Sequence, residues 1–165
     1  MVLEEIAFID LEASGLSARS WPIEVGWCFR EGKPSAKLIH PADDWSLNDW
    51  DAGAEALHGV PYKKLLSSGD KLSDVCDVLN AELAGKAVYS DAPDWDGFWL
   101  YRLFQAARIR QQFVLRDLYS LFQTVSDDKM RDFIGRVDKE SPRKHRAIPD
   151  VLHMRALHAL AASDN

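Results

Sequence analysis

Asp10 and Glu12 stand one residue apart in "FIDLEASGL", inside a run otherwise made of Ile6, Phe8, Ile9 and Leu11. In an extended strand the side chains at i and i+2 point to the same face, so this spacing presents two carboxylates side by side. Two like charges in an apolar setting are costly unless a cation lies between them or one stays protonated. A hard divalent ion with oxygen ligands is the natural remedy. Mg²⁺ or Mn²⁺ suits the pair better than Zn²⁺, because the chain has no His/Cys cluster of zinc-ligand spacing.

Two more stretches add candidates. "SDAPDWDGFWL" places Asp91, Asp94 and Asp96 after a predicted strand, at the entrance to a helix. Free backbone N–H groups and the helix dipole favour carboxylates there, so capping accounts for at least one of the three. "KHRAIPDVLHM" sets His145 five residues before Asp150, which falls in the first turn of the last predicted helix. Taken alone, Asp150 reads as a helix-start preference and His145, between Lys144 and Arg146, as an exposed loop residue.

The elements that must position these groups follow from the apolar pattern. Strands are predicted over 5–11, 23–29 and 35–39, spaced closely enough for an antiparallel meander. A helix is predicted over 48–57, ended by the turn His58-Gly59-Val60-Pro61. Leu72, Val75, Leu79 and Leu83 then recur at helical spacing, with Gly85 as a stop. Further on come a strand at 87–89, a helix at 96–107, a strand at 113–115 and a helical region at 118–135. The last helix runs from 147 or 149 to 161, with Pro149 suited to its first turn. This order implies an α/β fold with a mixed sheet.

A chain of 165 residues with 47% hydrophobic and 28% charged residues is expected to form a single domain, 1–165, with a substantial core. No apolar run approaches the ~20 residues that span a bilayer, and the N-terminus lacks a basic-then-apolar leader, so a cytoplasmic protein with no membrane partner is expected. Cys28 and Cys76 stand apart in apolar contexts and are expected as reduced, buried thiols. The net charge of −6 argues against the broad basic surface of a non-specific duplex binder. Basic residues nonetheless gather late, at Lys129, Arg131, Arg136, Lys139, Arg143, Lys144, Arg146 and Arg155.

Together the three acidic stretches resemble, in order and spacing, the DEDDh group of 3′–5′ exonucleases in the ribonuclease H-like superfamily. The group's first motif is similar to Asp10-Leu11-Glu12-Ala13-Ser14-Gly15-Leu16, and its third, H-x-A-x-x-D, to His145-Arg146-Ala147-Ile148-Pro149-Asp150. "PIEVG" resembles its second strand and "LHGV" its I-H-G-I segment. The second motif departs: "WDGFWL" fits its latter half and assigns Asp96 over Asp94 and Asp91, but "DAPD" replaces the usual His-Asn.

The resemblance implies a ribonuclease H-like fold with a five-stranded mixed sheet, three antiparallel strands then two parallel, flanked by helices. It implies a 3′–5′ exonuclease that releases nucleoside monophosphates from single-stranded nucleic acid or a 3′ overhang. Two divalent cations, Mg²⁺ or Mn²⁺, ~3.5–4 Å apart would activate water and relieve phosphate charge. Asp10 would bridge both, Glu12 and Asp150 would complete one shell, and Asp96 would support the other. His145 would accept the proton of the attacking water, a role for which imidazole is suited. Leu11 and Leu16 would wedge against the terminal base, beside the Ser14-Gly15 turn, and Trp45, in a polar loop, is a candidate for base stacking. Trp99 shares the helical spacing of its apolar neighbours and is expected in the core. Small members of the group are often dimers, so a homodimer is carried as an expectation.

Three other readings compete. One is a phosphodiesterase for very short oligonucleotides on the same fold. Another is a catalytically silent ribonuclease H-like nucleic-acid-binding module, against which the retained acids and histidine argue. The last is a structural domain whose acids are caps and surface charges, which requires three coincidences of order and spacing.

Overall fold

The computed structural model describes residues 4–164, so the domain expected over 1–165 extends past the described residues at both ends. β1 (Ile6–Ala13) and β2 (Pro22–Phe29) pair antiparallel, and β3 (Ser35–Leu38) adds antiparallel to the far edge of β2. Next come helices α1 (Ala52–His58), α2 (Tyr62–Ser68) and α3 (Leu72–Leu83). β4 (Ala87–Ser90) then pairs parallel with β1, and α4 (Pro93–Ala107) leads to β5 (Leu115–Asp117), parallel with β4. α5 (Asp127–Glu140) and α6 (Ala147–Ser163) close the chain. The sheet order is β3-β2-β1-β4-β5, the ribonuclease H-like arrangement of three antiparallel strands followed by two parallel ones.

Both faces of the sheet are covered, which explains why β1 is apolar on each side. Ala7, Ile9 and Leu11 enter one core with Ile23, Val25 and Trp27 of β2, Val75, Leu79 and Leu83 of α3, and Leu100 and Leu103 of α4. Phe8 points the other way, into a second core with Cys28, Tyr89, Phe133 and Val137 of α5, and Val151, Met154 and Leu157 of α6. Asp10 and Glu12 therefore share the α6 face of the sheet with Phe8. Cys28 and Cys76 are buried free thiols, as expected. Among the described residues no helix is long and apolar enough to cross a membrane.

Several boundaries differ from the sequence expectations, each for a local reason. The helix expected over 48–57 begins at Ala52, because the Asp51 carboxylate accepts the Ala54 N–H at 3.0 Å and caps it; residues 47–49 form a single 3₁₀ turn. α2 has no counterpart among the expectations: it has one buried side chain, Leu65, too little to give a periodic signal. α4 starts at Pro93, not 96, with proline in its first turn. The fifth strand sits at 115–117, not 113–115, because Phe113 turns into the core against Phe104 (ring centroids 6.0 Å apart). The region 118–135 divides into a 3₁₀ turn over Leu118–Phe122 and α5, where the Ser126 hydroxyl accepts the Lys129 N–H at 3.4 Å.

One close approach ties this frame to the acids. Gly26 of β2 lies beside Asp10 in the β1–β2 register. A Cβ at Gly26 would stand 2.7 Å from the Ala147 Cβ and 2.9 Å from its carbonyl carbon, so the start of α6 rests directly on the β2 backbone. That contact lets Asp150, in the first turn of α6, reach the acids of β1. Gly26→Ala is expected to cost about 1–3 kcal/mol of stability through overpacking. It should also weaken Mn²⁺ binding by displacing Asp150; denaturant unfolding and Mn²⁺ titration of the same variant check both effects.

Candidate active site

Parallel pairing of β1 and β4 brings their C-terminal ends to one edge of the sheet, where the strand order reverses and α/β proteins form their crevices. Asp10 and Glu12 come from the end of β1, beside a register shift against β2 at Glu12/Ala13. Asp91 follows β4, Asp96 lies in the first turn of α4, and Asp150 lies in the first turn of α6. Oxygens of Asp10, Glu12 and Asp150 all lie within 4.8 Å of one another, as do those of Asp10, Asp91 and Asp96. Asp10 belongs to both groups.

Each acid is held differently. Asp96, 1% exposed, accepts the Leu11 N–H at 3.2 Å and the Ser90 hydroxyl at 2.5 Å. Asp150 accepts the Lys144 N–H at 2.9 Å. Asp91 is ion-paired with Arg143. Buried Asp10 has an oxygen, Oδ2, with no hydrogen-bond partner. Beneath Glu12, Glu24 of β2 is buried and takes the Arg146 guanidinium at 2.7 Å, which pins the loop carrying His145 to the sheet. His145 itself is exposed and has φ +52°, a left-handed conformation that a non-glycine residue adopts only when its surroundings hold it there.

Burial and crowding raise the proton affinity of Asp10, Glu12 and Asp96. Asp10 is pushed well above the ordinary carboxylate range, first by burial, then by Asp96, Glu12 and Asp150, with Arg143 opposing. Glu12 is raised to about 8 by burial and by Asp150, Glu24 and Asp96, against Arg146. Burial raises Asp96 to about 7 despite its bonds from Ser90 and Leu11, which favour the charged form.

A crevice of about 500 Å³ lies over the acids. Leu11, Gly15, Leu16 and His145 line it together with Asp10, Glu12, Asp96 and Asp150. Leu16 is 70% exposed at the rim, whereas Leu11 is buried and contributes its N–H to Asp96. Ser14 lies outside the lining: it is buried, and its hydroxyl accepts the Trp21 N–H at 3.0 Å to brace the turn. Trp45 also lies elsewhere, buried and stacked on Trp21 (centroids 5.6 Å apart), beside a separate groove containing none of the clustered acids. Its expected stacking face is already covered. Trp99 is buried, as expected, and donates its indole N–H to Ser20 at 2.9 Å. Asp94 is exposed and belongs to neither acid group.

Four further residues that the sequence reading did not assign to the site line the crevice. Trp95 and Leu57 present exposed apolar surface at its rim, and Trp95 stacks on Trp99 (centroids 5.3 Å apart). His58 is buried; its Nδ1 accepts the Val60 N–H at 3.0 Å, so the neutral ring carries its proton on Nε2, which has no protein partner. Burial lowers the His58 pKa and favours that neutral form. The "LHGV" segment was the signal for His58. Arg143 had only its place in a basic run.

The donor set fits a hard divalent cation. Every member of both groups is a carboxylate, and Asp10, which belongs to both, keeps one buried oxygen without a hydrogen-bond partner.

No protein-family model matches the chain, and no curated protein matches it by sequence. Its fold matches solved structures of exonuclease I. One is the E. coli protein in complex with a dA16 oligonucleotide (14% identity, TM-score 0.72), covering 97% of this chain and 41% of that one. Another is the moderately thermophilic exonuclease I of Methylocaldum szegediense (14%, TM-score 0.73), covering 98% of this chain and 40% of that one. A third is the zinc-bound form of an E. coli exonuclease I complex with single-stranded DNA (13%, TM-score 0.72; 98% and 41%). The chain thus shares their fold over nearly its whole length and spans about two fifths of theirs.

A carboxyl whose pKa is higher folded than unfolded binds protons more tightly when folded, so its stabilising effect is lost as pH rises through the folded pKa. The window runs from 4.5 to about 8 for Glu12 and from 3.8 to about 7 for Asp96. In EDTA, the melting temperature is therefore expected to fall as pH rises across this window, with a shallower slope in Glu12→Gln. Mn²⁺ should raise the melting temperature more at the alkaline end than at the acid end. Thermal melts with and without Mn²⁺ check this, and a Glu12→Gln slope equal to the wild-type slope contradicts it.

Proposed function

We propose that this chain is a metal-dependent 3′–5′ exonuclease that removes nucleoside monophosphates from the 3′ end of single-stranded nucleic acid. The observation that carries the reading is the pair of carboxylate groups sharing Asp10 at the floor of a crevice whose rim holds His145. The fold shared with exonuclease I, solved with single-stranded DNA, supports it.

Asp10, Glu12 and Asp150 would hold one Mg²⁺ or Mn²⁺, and Asp10 and Asp96 a second. Bound there, the ions would supply charge relief on the phosphate and an acidified water. The chain's own residues perform the rest. His145, on its exposed loop, takes the proton of the attacking water. The Arg146–Glu24 pair keeps that loop against β2. Leu16, Leu57 and Trp95 offer apolar surface to the terminal base, and the indole of Trp95 is placed to stack.

The deciding experiment is a time course on 5′-labelled single-stranded RNA and DNA with Mg²⁺, Mn²⁺ or EDTA. A ladder shortening from the 3′ end in metal and absent in EDTA is expected; internal cuts, or none in either metal, overturn the reading. Asp10→Asn and Asp150→Asn are expected to abolish the ladder while leaving the circular dichroism spectrum native. His145→Ala should lower kcat by about 10²–10⁴-fold, the usual worth of general-base catalysis, while KM changes little.

A further inference from the structure

Asp91 is unaccounted for by the four acids of the proposed centre. Its side chain is only 5% exposed, and its carboxylate lies with those of Asp10 and Asp96, oxygens all within 4.8 Å. Three acids packed this closely repel unless a cation joins them. Asp10 Oδ2 is buried and has no hydrogen-bond partner, so nothing in the protein offsets its charge directly. The nearest compensation comes from Arg143, on the loop before α6, whose guanidinium pairs with Asp91 and also acts on Asp10. Arg143 is 37% exposed, so its head group is free to leave, whereas Asp91 is not.

We propose that Asp91 is a further ligand of the ion shared by Asp10 and Asp96, and that Arg143 is a competing counter-cation that gives up Asp91 when the ion binds. This rests on the metal-dependent centre proposed above. It follows that Arg143 lowers ion affinity as long as it has no other anion to pair with. The phosphate backbone of a strand entering the crevice is such an anion, since a guanidinium binds phosphate in the same forked geometry as carboxylate. The strand and the ion then assist each other's binding.

The test is Mn²⁺ titration of the full chain, with free ion counted by electron paramagnetic resonance. Wild type is compared with Asp10→Asn, Asp91→Asn, Arg143→Gln and the Asp91→Asn/Arg143→Gln double variant, each checked by circular dichroism. Asp91→Asn is expected to weaken Mn²⁺ binding by about tenfold or more, the scale seen when support for a metal site is lost. Arg143→Gln is expected to tighten it, and to do so markedly less once Asp91 is gone. If Asp91→Asn fails to fold, the sign of the Arg143→Gln effect decides, because that variant leaves every acid in place. Arg143→Gln binding Mn²⁺ no more tightly than wild type, or Asp91→Asn binding as well as wild type, overturns the proposal. Loss of binding in Asp10→Asn alongside either result leaves the metal centre itself standing. A wild-type chain that binds no Mn²⁺ removes both.

Discussion

Mutual repulsion among carboxylates is the constraint around which this structure is built. Asp10, Glu12, Asp91, Asp96 and Asp150 meet at one edge of the sheet, most of them buried. The fold offsets part of the cost without removing it. Two helices begin at the site, so their unpaired N–H groups and positive dipole ends face the acids. Backbone N–H groups of Leu11 and Lys144 and the hydroxyl of Ser90 add hydrogen bonds, and Arg143 and Arg146 add positive charge. Asp10 Oδ2 is left without a partner, and the raised proton affinities of Asp10, Glu12 and Asp96 record what remains. A site built this way is strained toward capturing cations.

Such an arrangement needs rigid support, and the sheet supplies it. β1 lies at the centre of the sheet, between an antiparallel and a parallel neighbour, covered on both faces. Its acids therefore cannot turn away from one another by backbone motion. The missing side chain of Gly26 seats α6 against β2, while the Arg146–Glu24 pair fixes the loop just before it. The exposed groups around the crevice are His145, Arg143 and the apolar rim of Leu16, Leu57 and Trp95. Buried acids set the charge, and exposed side chains are left to meet a ligand.

Legibility in the sequence followed the range of the interactions involved. The period-2 pattern of β1 put Asp10 and Glu12 on one face, and that placement holds because it depends only on strand geometry. The first four strands and the helix over Leu72–Leu83 were legible because their own periodicities are equally local. α2 was not, since it buries a single side chain. Trp45 misled because its polar sequence neighbours concealed a partner 24 positions away, Trp21, which covers its ring. Asp91 could be noticed as a candidate but not placed, because capping and metal ligation call for the same residue type at the end of a strand.

The sequence by itself determined the α/β order of elements, the shared face of Asp10 and Glu12, and the His145–Asp150 spacing, all consequences of repeats a few residues long. Only the tertiary structure decided that Asp10 belongs to two acid groups at once, that Asp96 and Asp91 join it while Asp94 does not, and that Arg143 sits on Asp91. These contacts span as many as 140 residues of chain, from Asp10 to Asp150. They exist because parallel pairing of β1 with β4 and the seating of α6 on Gly26 close that distance, and no local pattern encodes where a strand will find its neighbour.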